Sequence, residues 1–185
     1  FIVCAVSLLV HLLRLVRLGR PRVYSRPAGS IRSGIAYSFT AAMSPGKKES
    51  AYLHIPTYTA GLIYHMGTFL SIVLSFVFFF NGSPAGLLRW LLLALMSVSV
   101  LCGCVIFIKR ISARNLRFLS VADDYVSNLL VTLFQLLTLA MLANIPVTPF
   151  YFSLTGLLLL YIPVGKLKHA LYFFAARYHL GLFYG

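Results

Sequence analysis

Long apolar runs separated by short polar segments dominate the hydropathy pattern of this chain. An α-helix needs about 20 apolar residues to cross about 30 Å of hydrocarbon. The runs of about that length predict five membrane-spanning helices, at about residues 1–18, 56–80, 86–108, 124–143 and 149–174. We therefore expect an all-α integral membrane protein, a five-helix bundle with one long polar connection over residues 19–55.

Proline, asparagine and aspartate mark the ends of these helices. Pro56 and Pro149 fall in first turns, where a missing backbone N–H leaves no hydrogen bond unmade. Residues 81–84 and 144–146 combine asparagine with proline and predict short turns between antiparallel neighbours. The carboxylates at 123–124 suit the N-terminus of the fourth helix, where they would cap it.

The composition supports the membrane class. The 185 residues are 60% hydrophobic and 10% charged, whereas soluble domains are about 45–50% apolar and about 25% charged. The pattern predicts one membrane domain over residues 1–185, and because the chain begins at Phe1 we expect it to be part of a longer one. Its three cysteines are fewer than the four thiolates that an iron–sulfur cluster takes, so we expect them to serve packing.

Basic residues give this layout an orientation. Of the 16 lysines and arginines, only Arg89 falls on one side, and the others lie within 14–48, 109–117 and 166–177. The positive-inside rule then predicts an outside N-terminus and a cytoplasmic C-terminus. The net charge of +13 would attract anionic lipid and an acidic partner. Nucleic acid is not expected, because the same charges are needed to orient the helices.

Two histidines stand out within the apolar helices. His65 and His169 lie on predicted helices that run antiparallel, at compatible depths, with no acidic residue beside them in the sequence. Paired neutral imidazoles are typical axial ligands of haem iron. Gly61 and Gly67 would let a flat macrocycle approach the backbone. A hydrogen-bonded structural pair and a proton-relay or ion site remain alternatives.

A second pair, His54 and His179, lies nearer the predicted cytoplasmic side. Each is about three helical turns from the first pair, at about 15 Å by helical rise. The pair would suit a second haem, contact with a partner, or binding of a quinone headgroup. Histidines at the membrane interface without any ligand are the simplest alternative.

Two sequence segments resemble a known family. Residues 63–67 (IYHMG) and 160–169 (LYIPVGKLKH) are similar to the haem-ligand motifs of the gamma, cytochrome b subunit of respiratory nitrate reductases. The resemblance implies five spans with the N-terminus outside, and quinol oxidation through b-type haem. It also implies that His65 and His169 hold the haem nearer the cytoplasmic subunits.

The chain departs from that family at its other haem. The family's remaining ligand positions correspond to Ser75 and Tyr151, so we expect no haem near the outer face, and the quinol site beside it is in question. Residues 172–181 look more like relatives that pair with iron–sulfur proteins of the heterodisulfide-reductase type. Those relatives include membrane subunits of sulfate-reducer complexes that use menaquinone.

The resulting functional expectation is an electron-transfer subunit. It would carry haem b, one group or two, and exchange electrons between menaquinone or another quinone and cytoplasmic iron–sulfur or flavoprotein subunits, in the cytoplasmic membrane of a prokaryote. Lys166 and Lys168 would pair with haem propionates or anchor the helix at the interface. The candidate quinone donors are His54, His179, Tyr58 and Tyr64. The alternative is a non-redox anchor or transporter subunit that docks a cytoplasmic complex through the basic face.

Overall fold

The computed structural model describes residues 1–19, 24, 29–47 and 49–184, so part of the predicted connection 19–55 lies outside the described residues. No β-strand occurs over these ranges, and the all-α prediction is confirmed. In chain order the α-helices are α1 (Ile2–Arg17), α2 (Ile31–Phe39), α3 (Glu49–Tyr52), α4 (Ile55–Phe79), α5 (Gly86–Ser112), α6 (Arg114–Leu119), α7 (Ala122–Leu142), α8 (Thr148–Tyr161) and α9 (His169–Tyr184). Short 3₁₀ turns cover Ala41–Met43, Pro45–Lys47 and Lys166–Lys168.

Among the described residues, three helices are long and apolar enough to cross a membrane: α4, α5 and α7. The number rises to four if α8 and the segment Lys166–Phe183 form one broken span. Helix α1 has 16 residues, a rise of about 24 Å, which is less than the about 30 Å of a hydrocarbon core. The helices therefore indicate a membrane protein, whereas the predicted five spans are not confirmed.

The surface of α5 is apolar and largely exposed. Its span has a mean hydropathy of 2.8, yet only 28% of it is buried inside the protein. Leu87, Leu95 and Leu101 are all exposed, and an apolar surface this extensive is stabilised by lipid rather than by water. Arg89 and Lys109 are about 20 residues apart, a rise of about 30 Å. The two charges therefore lie one hydrocarbon thickness apart.

The predicted helix over 149–174 is divided in the structure. Helix α8 ends at Tyr161, and α9 begins only at His169, after a 3₁₀ turn. Pro163 accounts for the break, since it has no backbone N–H and excludes the α conformation from the residue before it. Gly165 is extended, with φ −81° and ψ −171°.

The chain packs as two compact units. The central unit is Pro56–Tyr161, which includes α5 to α8 and nearly all of α4. The terminal unit combines Phe1–Ile55 with Ile162–Gly185. Each unit has buried residues of its own, such as Phe134 in the central unit and Ser38 in the terminal unit.

Hydrogen bonds tie the helix ends of the central unit together. At one end, Lys109 Nζ donates to Thr57 Oγ1 at 2.5 Å, which joins the last turn of α5 to the start of α4. At the other end, Arg89 Nε donates to the Leu142 carbonyl at 2.7 Å, which joins the start of α5 to the end of α7. A cation at a helix C-terminus also interacts favourably with the helix dipole. These bonds show that α5 runs antiparallel to α4 and α7.

Both turns predicted in the central unit are present. Asn81 and Asn144 have φ values of 58° and 60°, in the left-handed region that asparagine tolerates better than most residues. The next residues, Gly82 and Ile145, donate their N–H groups to carbonyls of the preceding helix at 2.8 and 3.0 Å. This is the bonding of a Schellman C-cap, and it ends α4 and α7 sharply.

In the terminal unit, α2 packs closely on α9. Ser38 Oγ donates to the Arg177 carbonyl at 2.5 Å. A Cβ atom added to Gly181 would lie 2.5 Å from the Cα of Ile35, so only glycine allows the two backbones to come this close. Part of the connection that the sequence predicted over 19–55 is therefore a helix with a defined partner.

Candidate functional site

The first predicted ligand, His65, lies on the outer face of α4. Tyr64 before it and Gly67 after it are both buried in the central unit. Successive residues of an α-helix are turned by about 100°, so the burial of these neighbours turns His65 outward, and its side chain is exposed. The imidazole is presented on the surface of the unit rather than enclosed in its core.

The rotation of α4 is fixed through Tyr64. Its hydroxyl donates to the Asn128 carbonyl at 3.1 Å and lies 2.9 Å from Thr132 Oγ1. Gly103 provides the space for the ring, since a Cβ atom there would lie 2.5 Å from Tyr64 Cε2. The hydroxyl is thus used inside the bundle. Among the four candidate quinone donors, Tyr64 is therefore disfavoured.

Gln135 joins three helices at the same level. Its side chain is fully buried. Its Nε2 donates to the Tyr64 carbonyl at 3.0 Å and to Thr68 Oγ1 at 2.8 Å. Its Oε1 accepts from Ser99 Oγ at 2.7 Å. With every polar atom bonded, this amide connects α7 to both α4 and α5 within the apolar spans.

Sequence reasoning did not identify these polar residues. Asn128, Thr132 and Gln135 are spaced four and three residues apart, which places them on one face of a helix. A polar stripe of that spacing inside an apolar run would have indicated a helix–helix contact. Their partners, Tyr64 and Ser99, lie on other helices and could not have been assigned from the sequence.

The two glycines near His65 have different roles. A Cβ atom on Gly67 would lie 1.9 Å from Ser99 Oγ and 2.4 Å from Ser99 Cβ, so Gly67 is required for the close crossing of α4 and α5. Gly61, one helical turn before His65, has nothing within 4 Å of such a Cβ position. Only Gly61 therefore offers open backbone surface beside the histidine for a flat ligand, and the expectation for Gly67 is corrected.

The second predicted ligand, His169, is the first residue of α9 and is exposed. Its Nδ1 lies 2.8 Å from the Lys166 carbonyl oxygen. A carbonyl can only accept, so Nδ1 is the donor, and in the neutral imidazole the lone pair is then on Nε2. A neutral imidazole fixed in this way is the usual form of a histidine metal ligand.

The division of the predicted fifth helix changes the argument about depth. His169 was expected near the end of one continuous span, but it begins a new helix instead. The two histidines belong to different units, His65 to the central and His169 to the terminal unit. Their pairing around one iron stays a prediction.

The second predicted pair lies in the terminal unit. His54 is exposed in the turn just before α4. His179 lies within α9, and its Nδ1 is buried without a hydrogen-bond partner in the described part of the chain. Their use for a second haem or a quinone likewise stays a prediction.

His11 on α1 has a polar partner in the terminal unit. The Tyr172 hydroxyl lies 3.2 Å from its Nδ1, and the two rings meet edge to face at 6.2 Å. This contact joins α1 to α9 within the terminal unit. His11 is therefore used in the packing of α1 on α9.

Ser75 and Tyr151 correspond to the outer haem ligands of the nitrate reductase family, and both are buried in the central unit. Ser75 Oγ donates to the Ile72 carbonyl at 2.7 Å. Tyr151 is fully buried, stacks on Phe134 at 5.8 Å and meets Phe78 edge to face at 5.7 Å. Such aromatic contacts stabilise a core beyond simple burial.

The predicted cap of α7 is confirmed. Asp124 Oδ2 accepts from the Val121 N–H at 3.0 Å and lies 3.6 Å from Arg110 Nη1. Asp123 accepts a hydrogen bond from the Tyr161 hydroxyl. Both carboxylates therefore stabilise the helix N-terminus, and they tie it to the ends of α5 and α8.

The two lysines predicted near the haem lie in the turn before His169. The Lys166 backbone orients the imidazole, as described above, and its side chain is exposed. Lys168 Nζ donates to the Val164 carbonyl at 3.4 Å. Both remain candidates for pairing with an anionic group beside His169.

No group of three or more His, Cys, Asp or Glu side chains suited to a metal ion occurs in the part of the chain that the structure describes. Cys4, Cys102 and Cys104 are free thiols. The chain matches no known protein family, no curated protein and no solved structure. The resemblance to the nitrate reductase gamma subunit therefore stays a prediction that rests on the two sequence segments.

Proposed function

We propose that this chain is a haem b-containing membrane subunit that transfers electrons between a quinone pool and cytoplasmic iron–sulfur or flavoprotein subunits. His65 and His169 are the axial ligands in this proposal. The observation that carries it is the hydrogen bond between His169 Nδ1 and the Lys166 carbonyl. It makes Nδ1 the donor, so that the neutral imidazole presents the Nε2 lone pair that iron coordination requires.

The surroundings of His65 fit the same group. Tyr64 and Gln135 hold the helix so that His65 faces out of the central unit, and Gly61 leaves the adjacent backbone uncovered. A flat macrocycle needs such a surface beside its ligand. When bound, the haem supplies one-electron redox chemistry. The protein residues supply its ligands and the low-dielectric surroundings that tune its potential.

The proposal includes five spans, with the N-terminus outside and the C-terminus in the cytoplasm of a prokaryotic cell. The central unit supports this orientation, because Lys109 and Arg110 lie at the same helix ends as Thr57, whereas Arg89 lies at the opposite end. In this proposal α1 and the broken α8–α9 segment are the two further spans, and the bilayer thins locally around the short α1. The quinone is menaquinone or a similar one, and His54, His179 and Tyr58 are its remaining candidate donors.

Optical spectroscopy of the purified protein tests the proposal. Dithionite-reduced protein is expected to show the α-band of b-type haem, and His65→Ala and His169→Ala are each expected to abolish it. His11→Ala is the matched control and keeps the band, since His11 bonds to Tyr172 instead. A colourless preparation would favour a non-redox anchor or transporter subunit.

The variants also determine the number of haems. With a single haem, His54→Ala leaves the content unchanged, and each of the two ligand variants removes it entirely. With a second haem on His54 and His179, His54→Ala halves the content and His65→Ala leaves one haem behind.

A further inference from the structure

The short helix α6 combines basic and exposed apolar residues in the connection between α5 and α7. Arg114 and Arg117 are both exposed. Phe118, Leu119 and Val121 are exposed by 79, 81 and 61% respectively. We call these five residues the α6 patch. Large side chains this exposed are unfavourable in water, and they lie beside two membrane-spanning helices.

The length of α5 places the α6 patch at the membrane surface. Arg89 and Lys109 are separated by about 30 Å along the helix, which is the thickness of the hydrocarbon core. Helix α6 begins at Arg114, just beyond Lys109. It therefore lies in the headgroup layer, where arginine meets phosphate and aromatic or aliphatic side chains reach the first acyl carbons.

The α6 patch is held in a defined position. Arg110 Nη1 donates to Ser120 Oγ at 2.9 Å, and Ser120 Oγ donates to the Leu116 carbonyl at 2.6 Å. Arg110 also pairs with Asp124 at the start of α7. These bonds hold the C-terminal end of α6 against the last turn of α5 and the start of α7, so its outward residues are arranged before any ligand arrives.

Within the α6 patch, an arginine lies over an aromatic ring. The Arg114 guanidinium carbon lies 5.8 Å from the centroid of the Phe118 ring, a cation–π distance. Arg117 is one helical turn from Arg114, on the same side of the helix. The acidic residues next in sequence, Asp123 and Asp124, are already bonded to Tyr161 and Arg110.

From these observations we propose that the α6 patch is a binding site for anionic phospholipid. Arg114 and Arg117 bind the headgroup phosphate, which guanidinium groups contact through paired hydrogen bonds. Phe118, Leu119 and Val121 insert among the upper acyl carbons. An acidic protein surface would match the arginines, but it would leave the apolar residues in water. The lipid assignment does not depend on the haem.

A single indole placed in the α6 patch tests this directly. Trp90 is the one tryptophan of the chain and lies near the opposite end of α5. The double variant Trp90→Phe/Phe118→Trp therefore reports only on the patch. In liposomes of fixed bromine content, brominated phosphatidylglycerol is expected to quench this indole more strongly than brominated phosphatidylcholine. Each arginine is expected to contribute about fivefold to the local enrichment.

Charge variants identify the residues responsible. Adding Arg114→Gln and Arg117→Gln is expected to make the two lipids equal quenchers. The control is Arg14→Gln/Arg17→Gln, which removes the same charge at the same spacing from the last turn of α1, and it is expected to keep the preference. Each single variant, Arg114→Gln or Arg117→Gln, lowers the preference about fivefold and disturbs the fold less.

Three results would overturn the assignment. Equal quenching by the two lipids before any charge is removed would show that the α6 patch does not select anionic headgroups. Loss of the preference in the α1 control would show a general effect of net charge. An indole that neither lipid quenches would place the α6 patch outside the bilayer, as expected for a surface that binds an acidic protein.

Discussion

His65 and His169 are the same residue type, but different levels of structure orient them. His65 is turned outward because the neighbouring Tyr64 bonds to Asn128 and Gln135 on another helix. His169 is oriented by the Lys166 carbonyl, three residues before it in the same turn. One histidine therefore depends on the packing of the central unit, and the other depends on a local backbone conformation.

The helix crossings of the two units differ in the hydrogen bonds that accompany them. In the central unit, Gly67 allows α4 to approach Ser99, and the buried Gln135 amide then bonds to both helices. In the terminal unit, Gly181 allows α9 to approach α2, and one hydroxyl, that of Ser38, bonds across. Changes inside the bundle should therefore act at a distance on His65, whereas changes in the terminal unit should remain local.

The largest effect is expected for Gly67→Ala. The added methyl group would overlap both Ser99 Oγ and Ser99 Cβ, so rotation of the serine cannot relieve the contact. We expect a loss of at least about 3 kcal/mol in the free energy of unfolding, measured by thermal or denaturant unfolding in detergent.

Gly61→Ala is the matched control on the same helix. Its methyl group enters open space, so stability is expected to be unchanged or to rise by up to about 1 kcal/mol from helix propensity. Equal destabilisation by the two substitutions would contradict the close crossing at Gly67.

A smaller effect is expected for Gln135→Leu. The substitution removes the bonds to the Tyr64 carbonyl, Thr68 and Ser99, and interhelical bonds in membranes contribute about 0.6 kcal/mol each. We expect a loss of about 2 kcal/mol and, because the rotation of α4 is released, weaker haem retention.

Thr138→Val is the control for this prediction. Thr138 is also fully buried on α7, but its hydroxyl bonds to the Phe134 carbonyl of its own helix and interacts with Tyr151 of α8, whereas Gln135 bonds to α4. Its loss should cost about 0.6 kcal/mol and leave haem content unchanged. If Gln135→Leu behaved like Thr138→Val, the amide would not be the element that orients α4.

Apart from the two control variants, the smallest effect on global stability is expected for Gly181→Ala. The methyl group would overlap the Ile35 backbone, but alanine also favours the helix by about 1 kcal/mol, so the net loss is about 1 kcal/mol. Hydrogen exchange should increase in α2 and stay unchanged in α4, α5 and α7. Faster exchange in those three helices would contradict a local role for the Gly181 contact.

The sequence predicted most of the local structure, because local structure depends on neighbouring residues. The apolar runs predicted α4, α5 and α7, and the asparagine turns and the α7 cap followed from their own side chains. The break at Pro163 was missed because the apolar run continues across it, although a proline inside a helix indicates a break.

Contacts between helices were harder to predict from the sequence. The role of Gln135 depends on partners from two other helices, and the separate roles of Gly61 and Gly67 depend on which face of α4 meets α5. The fixed Nδ1 proton of His169 depends on a 3₁₀ turn that the sequence pattern did not indicate. The sequence therefore could not distinguish the role of Gly61 from that of Gly67, and the structure was needed to do so.

The most direct test of the account is the haem count per chain, measured as the pyridine haemochrome of the purified protein and of two variants. We expect one b-type haem per chain, or two if His54 and His179 bind another. His65→Ala and His169→Ala are expected to lose the same single haem. Protein without haem, or variants that retain the full count, would contradict ligation by these two histidines.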